Sequence, residues 1–425
     1  MNQIRVGVAG CGTVGTQFIK ILQGRRTALW EETGLWFDLA GVADIDRRKA
    51  ALVRGRFFSD AYQLVKNPEV NIFVELIGGL NPAYGLVKEA LSQGKSVITA
   101  NKALLSEYGE ELMSLAETNR VYLGFEASVG GAIPIIKTAR ESFVGTSIQR
   151  MLGILNGTTN YILSRMTLEK MSFSAALEMA RKRGYAEADP ALDLSGTDTT
   201  HKLGILVRYL FRKTVPWRRI PVEGIETVEP MDIQYAQELG YRIKLLAVAD
   251  ARSGSLDIRV HPTLLPANHL LALVEDVYNA IYLEGDLIGQ SLLFGEGAGG
   301  KAAASAVLAD VVEVGLKLRQ GGYASFRWRE NDKLKIMEPS ASVSRCYLRF
   351  TAVDRPGVLA KIAHILGSYN ISIASVIQKQ ENPRKAVPII VLTHHSQEEA
   401  FQKALARINR LEVIYRPTIR FRLVE

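Results

Sequence analysis

A glycine-rich hexapeptide near the N-terminus constrains the fold more than any other segment. The apolar run Ile4–Ala9 leads directly into GCGTVG, and an amphipathic segment follows. Glycines at this spacing permit a tight turn and a close approach of the backbone to a pyrophosphate, and the N–H groups at the start of a helix favour an anion. The pattern predicts a dinucleotide site at Gly10, Gly12, Thr13, Val14 and Gly15.

Residues 1 to about 130 alternate short apolar runs with helical patterns, which is typical of parallel strands joined by crossover helices. The predicted strands are Ile4–Ala9, Leu39–Ala43, Asn71–Ile77, Ser96–Ala100 and Val121–Phe125. Their Val, Ile, Leu and Phe content suits strands that are covered on both faces. We therefore predict a Rossmann-type α/β domain, in which ligands bind at the carboxyl ends of the strands.

The rest of the chain predicts two further domains. Residues 131–300 keep strand and helix signals but contain longer loops, which favours an α+β domain. Residues 321–345 lose periodicity and gather Gly, Ser, Pro and charges, which predicts a connector. Within 346–425 the order of strands and helices predicts a small β-α-β-β-α-β, ferredoxin-like domain.

Composition and charge exclude several classes of protein. The 425 residues are 47% hydrophobic and carry a net charge of +8. No block of like charges, zinc-finger spacing or RNP signature accompanies that charge, so we expect no nucleic-acid partner. Two cysteines, Cys11 and Cys346, are too few for a disulfide framework. The sequence shows no apolar signal core and no apolar run of about 18 residues, so we expect a soluble cytoplasmic protein with no membrane partner.

Asp44 ends the second predicted strand, where a carboxylate can accept hydrogen bonds from an adenosine ribose and so favour NAD. Arg47 and Arg48 follow closely, and either guanidinium would suit the 2′-phosphate of NADP. The cofactor is therefore NAD or NADP, and a solvated turn is the alternative interpretation. Lys102 follows the strand Ser96–Ala100, so we expect it at the ligand-binding edge of the sheet unless it is a surface lysine.

An acidic segment leads into a helix that begins near Asp198. Asp198 and Lys202 are spaced i,i+4 and share one helix face. One hypothesis is that Glu187 and Asp198 bind the ammonium or hydroxyl of a polar substrate, while Lys202 takes part in proton transfer. Two alternatives stay open. One is plain helix support, in which Ser195 and Asp198 form a capping arrangement and Asp198 pairs with Lys202. The other is a divalent cation held by four carboxylates. Those four would be Glu187, Asp189, Asp193 and Asp198.

Eight segments together resemble homoserine dehydrogenase, in the form that carries a C-terminal ACT domain. They are, in the order of that family, GVAGCGTVG, VITANKALL, GFEASVGGAIPII, ILNGTTNYIL, GYAEADPALDLSGTDTTHKLGIL, ELGYRIKLLA, HPTLLP and GEGAGGKAAASAV. The resemblance implies reversible hydride transfer between NAD or NADP and the pair L-aspartate 4-semialdehyde and L-homoserine, in threonine, methionine and isoleucine biosynthesis. It also implies that the helix after the last segment completes the first domain at about 300–320.

The resemblance assigns roles to individual residues. Lys202 looks like the proton donor to the carbonyl oxygen, and Lys102 looks like a second active-site lysine that also contacts the cofactor. The residues implied to bind substrate are Glu187, Asp198, Asn156, Thr158 and Tyr161. Those implied to contact the dinucleotide, beyond the first turn and Asp44, are Gly184, Gly297 and Gly299. For Asn156, the alternative is a plain helix cap.

Two loops of the family can be compared directly with this sequence. The stretch EASVGGAI resembles a monovalent-cation loop, with Na⁺ contacts implied from Glu126, Val129, Gly131 and Ile133. The late glycine loop departs from the family, which usually has Pro after its first glycine and Pro-Thr after its last. Glu296 and Lys301 are additions there that bear on cofactor preference.

The third region resembles an ACT domain through RFTAVDRPGVLAKIAHILGSYNISIASVIQ. Amino acids often bind ACT domains near the positions of Asp354, Gly357 and Asn370, and L-threonine is the expected effector. The alternative is a module that serves only in assembly. By resemblance we expect a homodimer or homotetramer.

Two other functions fit these residues less well. Aspartate-semialdehyde dehydrogenase needs a positioned cysteine nucleophile, and neither Cys11 nor Cys346 fits that role. An amino-acid-sensing regulator that binds a dinucleotide would leave Lys102 and Lys202 without a purpose.

Overall fold

A computed structural model describes residues 2–53, 55–321, 329–379 and 386–424. The chain divides into two compact units. Unit 1 comprises Met1–Ile148, His201–Arg219 and Asn279–Asn331, and unit 2 comprises Gln149–Thr200, Ile220–Tyr278 and Asp332–Glu425. Among the described residues, no helix combines the length and the hydropathy needed to cross a bilayer.

The elements of the described residues are numbered in chain order. The strands are β1 (Gln3–Ala9), β2 (Trp36–Ala43), β3 (Phe57–Phe58), β4 (Ile72–Glu75), β5 (Ser96–Thr99), β6 (Leu123–Gly124), β7 (Ile148–Ile154), β8 (Tyr241–Asp250), β9 (Ser255–Pro266), β10 (Tyr278–Gly285), β11 (Gly289–Glu296), β12 (Lys335–Ile336), β13 (Val343–Val353), β14 (Ile373–Ile377), β15 (Ala386–Thr393), β16 (Ser396–Gln397) and β17 (Ile414–Leu423). The helices are α1 (Thr13–Gly24), α2 (Arg26–Thr33), α3 (Ala61–Lys66), α4 (Ala83–Ser92), α5 (Lys102–Thr118), α6 (Ile135–Lys137), α7 (Gly157–Leu168), α8 (Phe173–Lys182), α9 (Ala191–Leu194), α10 (Thr197–Leu210), α11 (Pro230–Glu238), α12 (Gly300–Arg319), α13 (Val358–Ser368) and α14 (Glu398–Ile408).

Unit 1 contains a parallel sheet in the order β3-β2-β1-β4-β5-β6. Helices cover both faces, because one buried core joins Phe18 of α1 and Val307 of α12 to the sheet. The second core joins Leu86 of α4 and Leu104 of α5 to the opposite face. The Rossmann-type prediction is confirmed, and the carboxyl ends of β1 and β4 meet where the strand order reverses.

Three predicted strands of this sheet are shorter than expected, β5 by one residue and β4 and β6 by three each. β4 ends at Glu75 because the Glu75 carboxylate accepts hydrogen bonds from the N–H groups of Ile77 and Gly78 and turns the chain there. β6 begins only at Leu123 because the N–H of Val121 still donates to Ala116 at the end of α5. Backbone N–H groups that the apolar pattern assigns to the sheet thus bond instead to a side chain or to the end of a helix, which shortens the strands.

Unit 2 contains strands in the order β7-β8-β9-β17-β13-β15-β14. The pairs β7–β8 and β8–β9 are antiparallel, and β17 joins β9 in parallel. From β13 to β17 the element order confirms the predicted β-α-β-β-α-β domain, apart from the two-residue β16, with a core that includes Phe350, Ile362 and Phe401. Of the predicted connector, residues 322–328 lie outside the described residues. The remainder contains β12, which pairs with β9.

Candidate active site

The three glycines of the first turn have different surroundings in unit 1. A Cβ added at Gly10, where φ is +99°, would lie 2.5 Å from the carbonyl atoms of Leu76, and one added at Gly15 would lie 2.0 Å from the Gly10 oxygen. A Cβ at Gly12 would meet no protein atom within 4 Å. Gly12 and Thr13 are exposed at the start of α1, which no side chain caps. The fold therefore requires Gly10 and Gly15, whereas Gly12 faces the space in which a pyrophosphate can bind.

Asp44 supports this turn directly. One carboxylate oxygen accepts a hydrogen bond from the N–H of Cys11 at 2.6 Å, and the other accepts from the N–H of Asp46 at 2.9 Å. Each oxygen retains capacity for another donor, so the carboxylate can hold the turn and still bind a ribose. Arg48 is engaged by Asp46 through two hydrogen bonds of 2.8 and 3.0 Å.

The two predicted lysines lie on helices that meet in unit 1. Lys102 is the first residue of α5, and Lys202 is buried on α10. The hydroxyl of Ser106 donates to the Lys102 carbonyl at 2.8 Å and lies 3.4 Å from the carbonyl of His201. The backbone beside each lysine is therefore linked through one serine side chain.

Asn156 organises the carboxylates of unit 2. Its side-chain oxygen accepts from the N–H of Thr159 and caps α7, as the alternative interpretation expected. Its amide nitrogen donates to Asp193 at 2.7 Å and to Asp198 at 3.0 Å. Asp198 is buried, with 7% of its surface exposed, so this amide offsets part of the cost of burying its charge.

The alternatives for the acidic segment can be compared with these contacts. α10 begins at Thr197, and the Ser195 hydroxyl lies 2.9 Å from that of Thr197 and accepts the N–H of Thr197 at 3.4 Å. Within the part of the chain that the structure describes, no group of three His, Cys, Asp or Glu side chains is arranged to hold a metal ion.

The other predicted substrate residues of unit 2 are placed as follows. The Thr158 hydroxyl donates to the carbonyl of Tyr185 at 2.6 Å, and the buried Tyr161 ring packs against Tyr185 with centroids 5.0 Å apart. Glu187 is exposed and takes no part in the hydrogen bonds around Asn156. Gly184, with φ of +73°, follows α8 and donates its N–H to Arg181.

Lys244 is a buried cation next to this cluster that the sequence did not single out. Its Nζ donates to the side-chain oxygen of Asn160 at 3.0 Å and to the carbonyl of Val274. Burial lowers the pKa of Lys244 from 10.5 to about 8. The same Asn160 amide also donates to Val274 and Tyr278, so Lys244 helps to hold α7 in place.

Replacing Lys244 with methionine should change how stability depends on pH. The folded pKa of about 8 lies below the unfolded value of 10.5, so between these pH values the unfolded chain binds the extra proton. The free energy of unfolding of the wild type should therefore include a contribution from Lys244 that increases between about pH 8 and about pH 10.5. Lys244→Met should lack this pH-dependent contribution. Denaturant titrations across this range would measure the difference, with the exposed Lys182→Met as control. Parallel curves for wild type and Lys244→Met would contradict the expectation.

The late glycine loop of unit 1 meets the predicted cation loop. A Cβ at Gly131 would lie 2.6 Å from the Glu296 oxygen, and the N–H of Ala132 donates to that oxygen at 3.0 Å. A Cβ at Gly297 would lie 1.9 Å from the side chain of Asn279. Packing on Asn279 thus already explains a glycine at 297. Gly299, with φ of +118° and no atom within 4 Å of an added Cβ, is the glycine that faces open space.

Glu126 of the predicted cation loop uses its side chain within the protein. Its two carboxylate oxygens accept from the N–H groups of Ile136 and Lys137 at 2.8 and 2.7 Å. Its own N–H donates to the carboxylate of Asp310. The carboxylate therefore holds the start of α6 against this loop, and each of its oxygens retains capacity for a further partner.

The predicted effector residues do not all come together. Asp354 accepts a hydrogen bond from Gln378 at 3.0 Å, and Gly357 precedes α13 with φ of +86°. Asn370 lies beyond the other end of α13, which has 11 residues and so is roughly 16 Å long. Gln378, at the end of β14, is the neighbour of Asp354 that the sequence did not single out.

Comparisons with known proteins agree along the whole chain. Family models match residues 10–126 (homoserine dehydrogenase, NAD binding domain), 134–312 (homoserine dehydrogenase) and 347–413 (ACT domain). Homoserine dehydrogenases of Neisseria gonorrhoeae and Pseudomonas aeruginosa are 36% and 38% identical, each over 100% of this chain and 99% of their own length. The chain belongs to the homoserine dehydrogenase family.

A solved structure supports the same assignment. The crystal structure of a homoserine dehydrogenase from Thiobacillus denitrificans has a TM-score of 0.93 and 39% identity, and covers 100% of this chain and 98% of its own. This homoserine dehydrogenase is therefore an NAD(P)-dependent oxidoreductase with a C-terminal ACT domain. Burial raises the pKa of Cys11 and of Cys346 to about 11, which also disfavours an acyl-transfer dehydrogenase that needs a thiolate.

Proposed function

We propose that this protein transfers a hydride reversibly between a nicotinamide cofactor and the pair L-aspartate 4-semialdehyde and L-homoserine. The observation that carries the proposal is a buried turn of α10, on which Asp198 and Lys202 lie four residues apart. The side-chain amide of Asn156 donates a hydrogen bond to Asp198 there. Because one helix carries both side chains, a group that binds substrate and a group that moves a proton are fixed relative to each other.

The cofactor is NAD or NADP, held at the first glycine turn. The exposed backbone of Gly12 and Thr13 would bind the pyrophosphate, and Asp44 would accept from the ribose. When bound, the nicotinamide supplies or accepts the hydride. An archaeal homoserine dehydrogenase solved in complex with NADPH, 26% identical with a TM-score of 0.63, supports including NADP. The further proposed contacts are those of Gly10, Val14, Gly15, Lys102, Gly184, Gly297 and Gly299.

The substrate is proposed to bind through its polar groups. The Asp198 carboxylate, together with Glu187, would accept hydrogen bonds from the ammonium and hydroxyl of homoserine. Asn156 fixes Asp198, and Thr158 and Tyr161 complete the proposed set. During aldehyde reduction negative charge builds on the carbonyl oxygen, and the ammonium of Lys202 would donate the proton to it. Lys102 is the second cation proposed to stabilise that charge.

A monovalent cation, Na⁺, is proposed at the loop that joins β6 to α6. The contacts are proposed from Glu126, Val129, Gly131 and Ile133, whose carbonyl oxygens are available in this loop, and the Glu126 carboxylate holds the N–H groups of Ile136 and Lys137 beside them. Hard carbonyl oxygens suit such a cation. Its proposed role is to stiffen the loop against the late glycine loop, which already accepts the N–H of Ala132.

L-Threonine is the proposed effector of the ACT domain, and we expect it to inhibit homoserine oxidation. Replacing Asp354 with alanine removes the carboxylate at the turn before α13 and should weaken inhibition about tenfold or more, because a charge-assisted contact to the effector ammonium is lost. Threonine titrations of activity would measure the shift, with Glu399→Ala on α14 as control. Unchanged inhibition in Asp354→Ala would contradict this site.

The domain division proposed for this activity follows the sequence, with 1–130 completed by about 300–320, then 131–300, the connector 321–345 and the ACT domain 346–425. A homodimer or homotetramer is proposed on resemblance, and light scattering after gel filtration would measure it.

The deciding assay follows the absorbance of reduced nicotinamide with L-homoserine and either NAD⁺ or NADP⁺ at alkaline pH. Homoserine-dependent reduction is expected, and the comparison ranks the two cofactors. No reduction by folded protein with either cofactor, repeated with L-aspartate 4-semialdehyde in reverse, would contradict the proposed reaction.

A further inference from the structure

A fully buried carboxylate lies at the carboxyl end of β4 in unit 1. Glu75 has no exposed surface, yet both of its oxygens are used. One oxygen accepts the N–H groups of Ile77 and Gly78 at 2.8 and 3.0 Å, and the other accepts the hydroxyl of Thr99 at 2.6 Å. Burying a carboxylate is costly unless donors surround it, and here three donors do so.

The hydrogen bonds continue from this carboxylate to the start of α5. The Thr99 oxygen accepts the N–H of Asn101 at 3.0 Å. The Asn101 side chain then donates to the carbonyl of Gly79 at 2.6 Å and accepts the N–H of Leu104 at 3.1 Å, which caps α5. Lys102 is the next residue and the first of that helix.

The direction of each hydrogen bond in this chain is fixed. The Thr99 hydroxyl donates to Glu75, and its oxygen accepts the N–H of Asn101, so both partners orient it. The amide of Asn101 is oriented in turn by one acceptor and one donor. The ends of β4 and β5 and the first turn of α5 therefore share a single arrangement.

We propose that Glu75, acting through Thr99 and Asn101, is a positioning residue for Lys102. The inference rests on the proposed function, in which Lys102 stabilises charge on the substrate oxygen. When a group that must contact a reacting atom is displaced, the rate of the reaction falls steeply, by up to about a hundredfold for roughly 1 Å. The side chains of Glu75 and Thr99, followed by the backbone N–H and the side chain of Asn101, hold the start of α5 at the place where that precision is needed.

Thr99→Val tests the relay, because it keeps the shape of the side chain and removes the hydroxyl. We expect kcat to fall about tenfold to a hundredfold. The dissociation constant for NADPH, measured by fluorescence, should rise much less, because Lys102 is one of many proposed contacts to the dinucleotide. Thr99→Ser restores the hydroxyl and should recover most of the lost kcat. Thr118→Val removes an exposed hydroxyl at the far end of α5, which donates to the Ser114 carbonyl, and should match wild type.

A second readout does not depend on turnover. Trace acetylation followed by peptide mass analysis measures the reactivity of the Lys102 amine, which should change in Thr99→Val and return in Thr99→Ser. If the wild-type protein fails to oxidise homoserine, the proposed reaction is wrong. The labelling then still tests whether Thr99 positions Lys102. Unchanged kcat and labelling in Thr99→Val would overturn the inference. The inference would also be overturned if kcat, NADPH affinity and melting temperature all fell equally in Thr99→Val and Thr99→Ser, since these hydrogen bonds would then only support the fold.

Discussion

Replacing Lys202 with methionine is expected to lower kcat for homoserine oxidation by about a hundredfold to ten-thousandfold, the usual contribution of a general acid or base. The side chain is 9% exposed and lies one turn after Asp198 on α10. Methionine keeps much of its length and apolar volume, so the helix should persist. A proton donor would then be missing where negative charge develops on the substrate oxygen.

The measurement separates chemistry from binding. The dissociation constant for NADPH should stay within about twofold of wild type, because Lys202 is proposed to act on the substrate and not on the dinucleotide. Lys182→Met, an exposed exchange on α8, is the matched control and should keep full turnover. Near-normal kcat in Lys202→Met would show that the Asp198 and Lys202 pair serves only as helix support.

The fold could be predicted from the sequence because its signals are local. Apolar runs followed by glycines and helical patterns indicated the parallel sheet, and the order of elements indicated the ferredoxin-like domain. Strand ends were less predictable. β4 stops at Glu75 because a side chain, and not the apolar pattern, decides where the chain turns.

The candidate site was only partly predictable, for a physical reason. Lys102, Asp198 and Lys202 stand out in short motifs, whereas Glu75 and Lys244 acquire their importance from partners distant in sequence. Glu75 meets Thr99 24 residues later, and Lys244 meets Asn160 84 residues earlier. One signal was present for Glu75, since a charge inside the apolar run IFVELI must find donors when the run is buried.

Alternatives that the sequence left open show the same limit. The sequence allows Asn156 to be either a helix cap or a substrate contact. In the structure its side-chain oxygen caps α7, while its side-chain nitrogen donates to Asp193 and Asp198. Gly297 resembled a dinucleotide contact, but its lack of a side chain is already required by Asn279. The same residue can be required for packing or for binding a ligand, and only the structure shows which contacts it makes within the protein.

Gly12→Ala is expected to abolish most dinucleotide binding while leaving the fold intact. An added Cβ at Gly12 meets no protein atom within 4 Å, so the free energy of unfolding should change little. The same methyl would occupy the space into which a pyrophosphate must approach the exposed start of α1. Loss of charge-assisted hydrogen bonds totalling about 3 kcal/mol would raise the dissociation constant for NADPH roughly a hundredfold.

Gly10→Ala supplies the contrast, because its Cβ would lie 2.5 Å from the Leu76 carbonyl in a backbone with φ of +99°. Gly10→Ala should have a lower melting temperature as well as weaker NADPH binding, whereas Gly12→Ala should show weaker NADPH binding alone. Gly24→Ala, at the other end of α1 and with no atom near its Cβ, should lose neither. NADPH titration and thermal unfolding of the three variants would test the assignment. If Gly12→Ala binds NADPH as wild type does, the pyrophosphate does not approach this turn, and the proposed cofactor site is wrong.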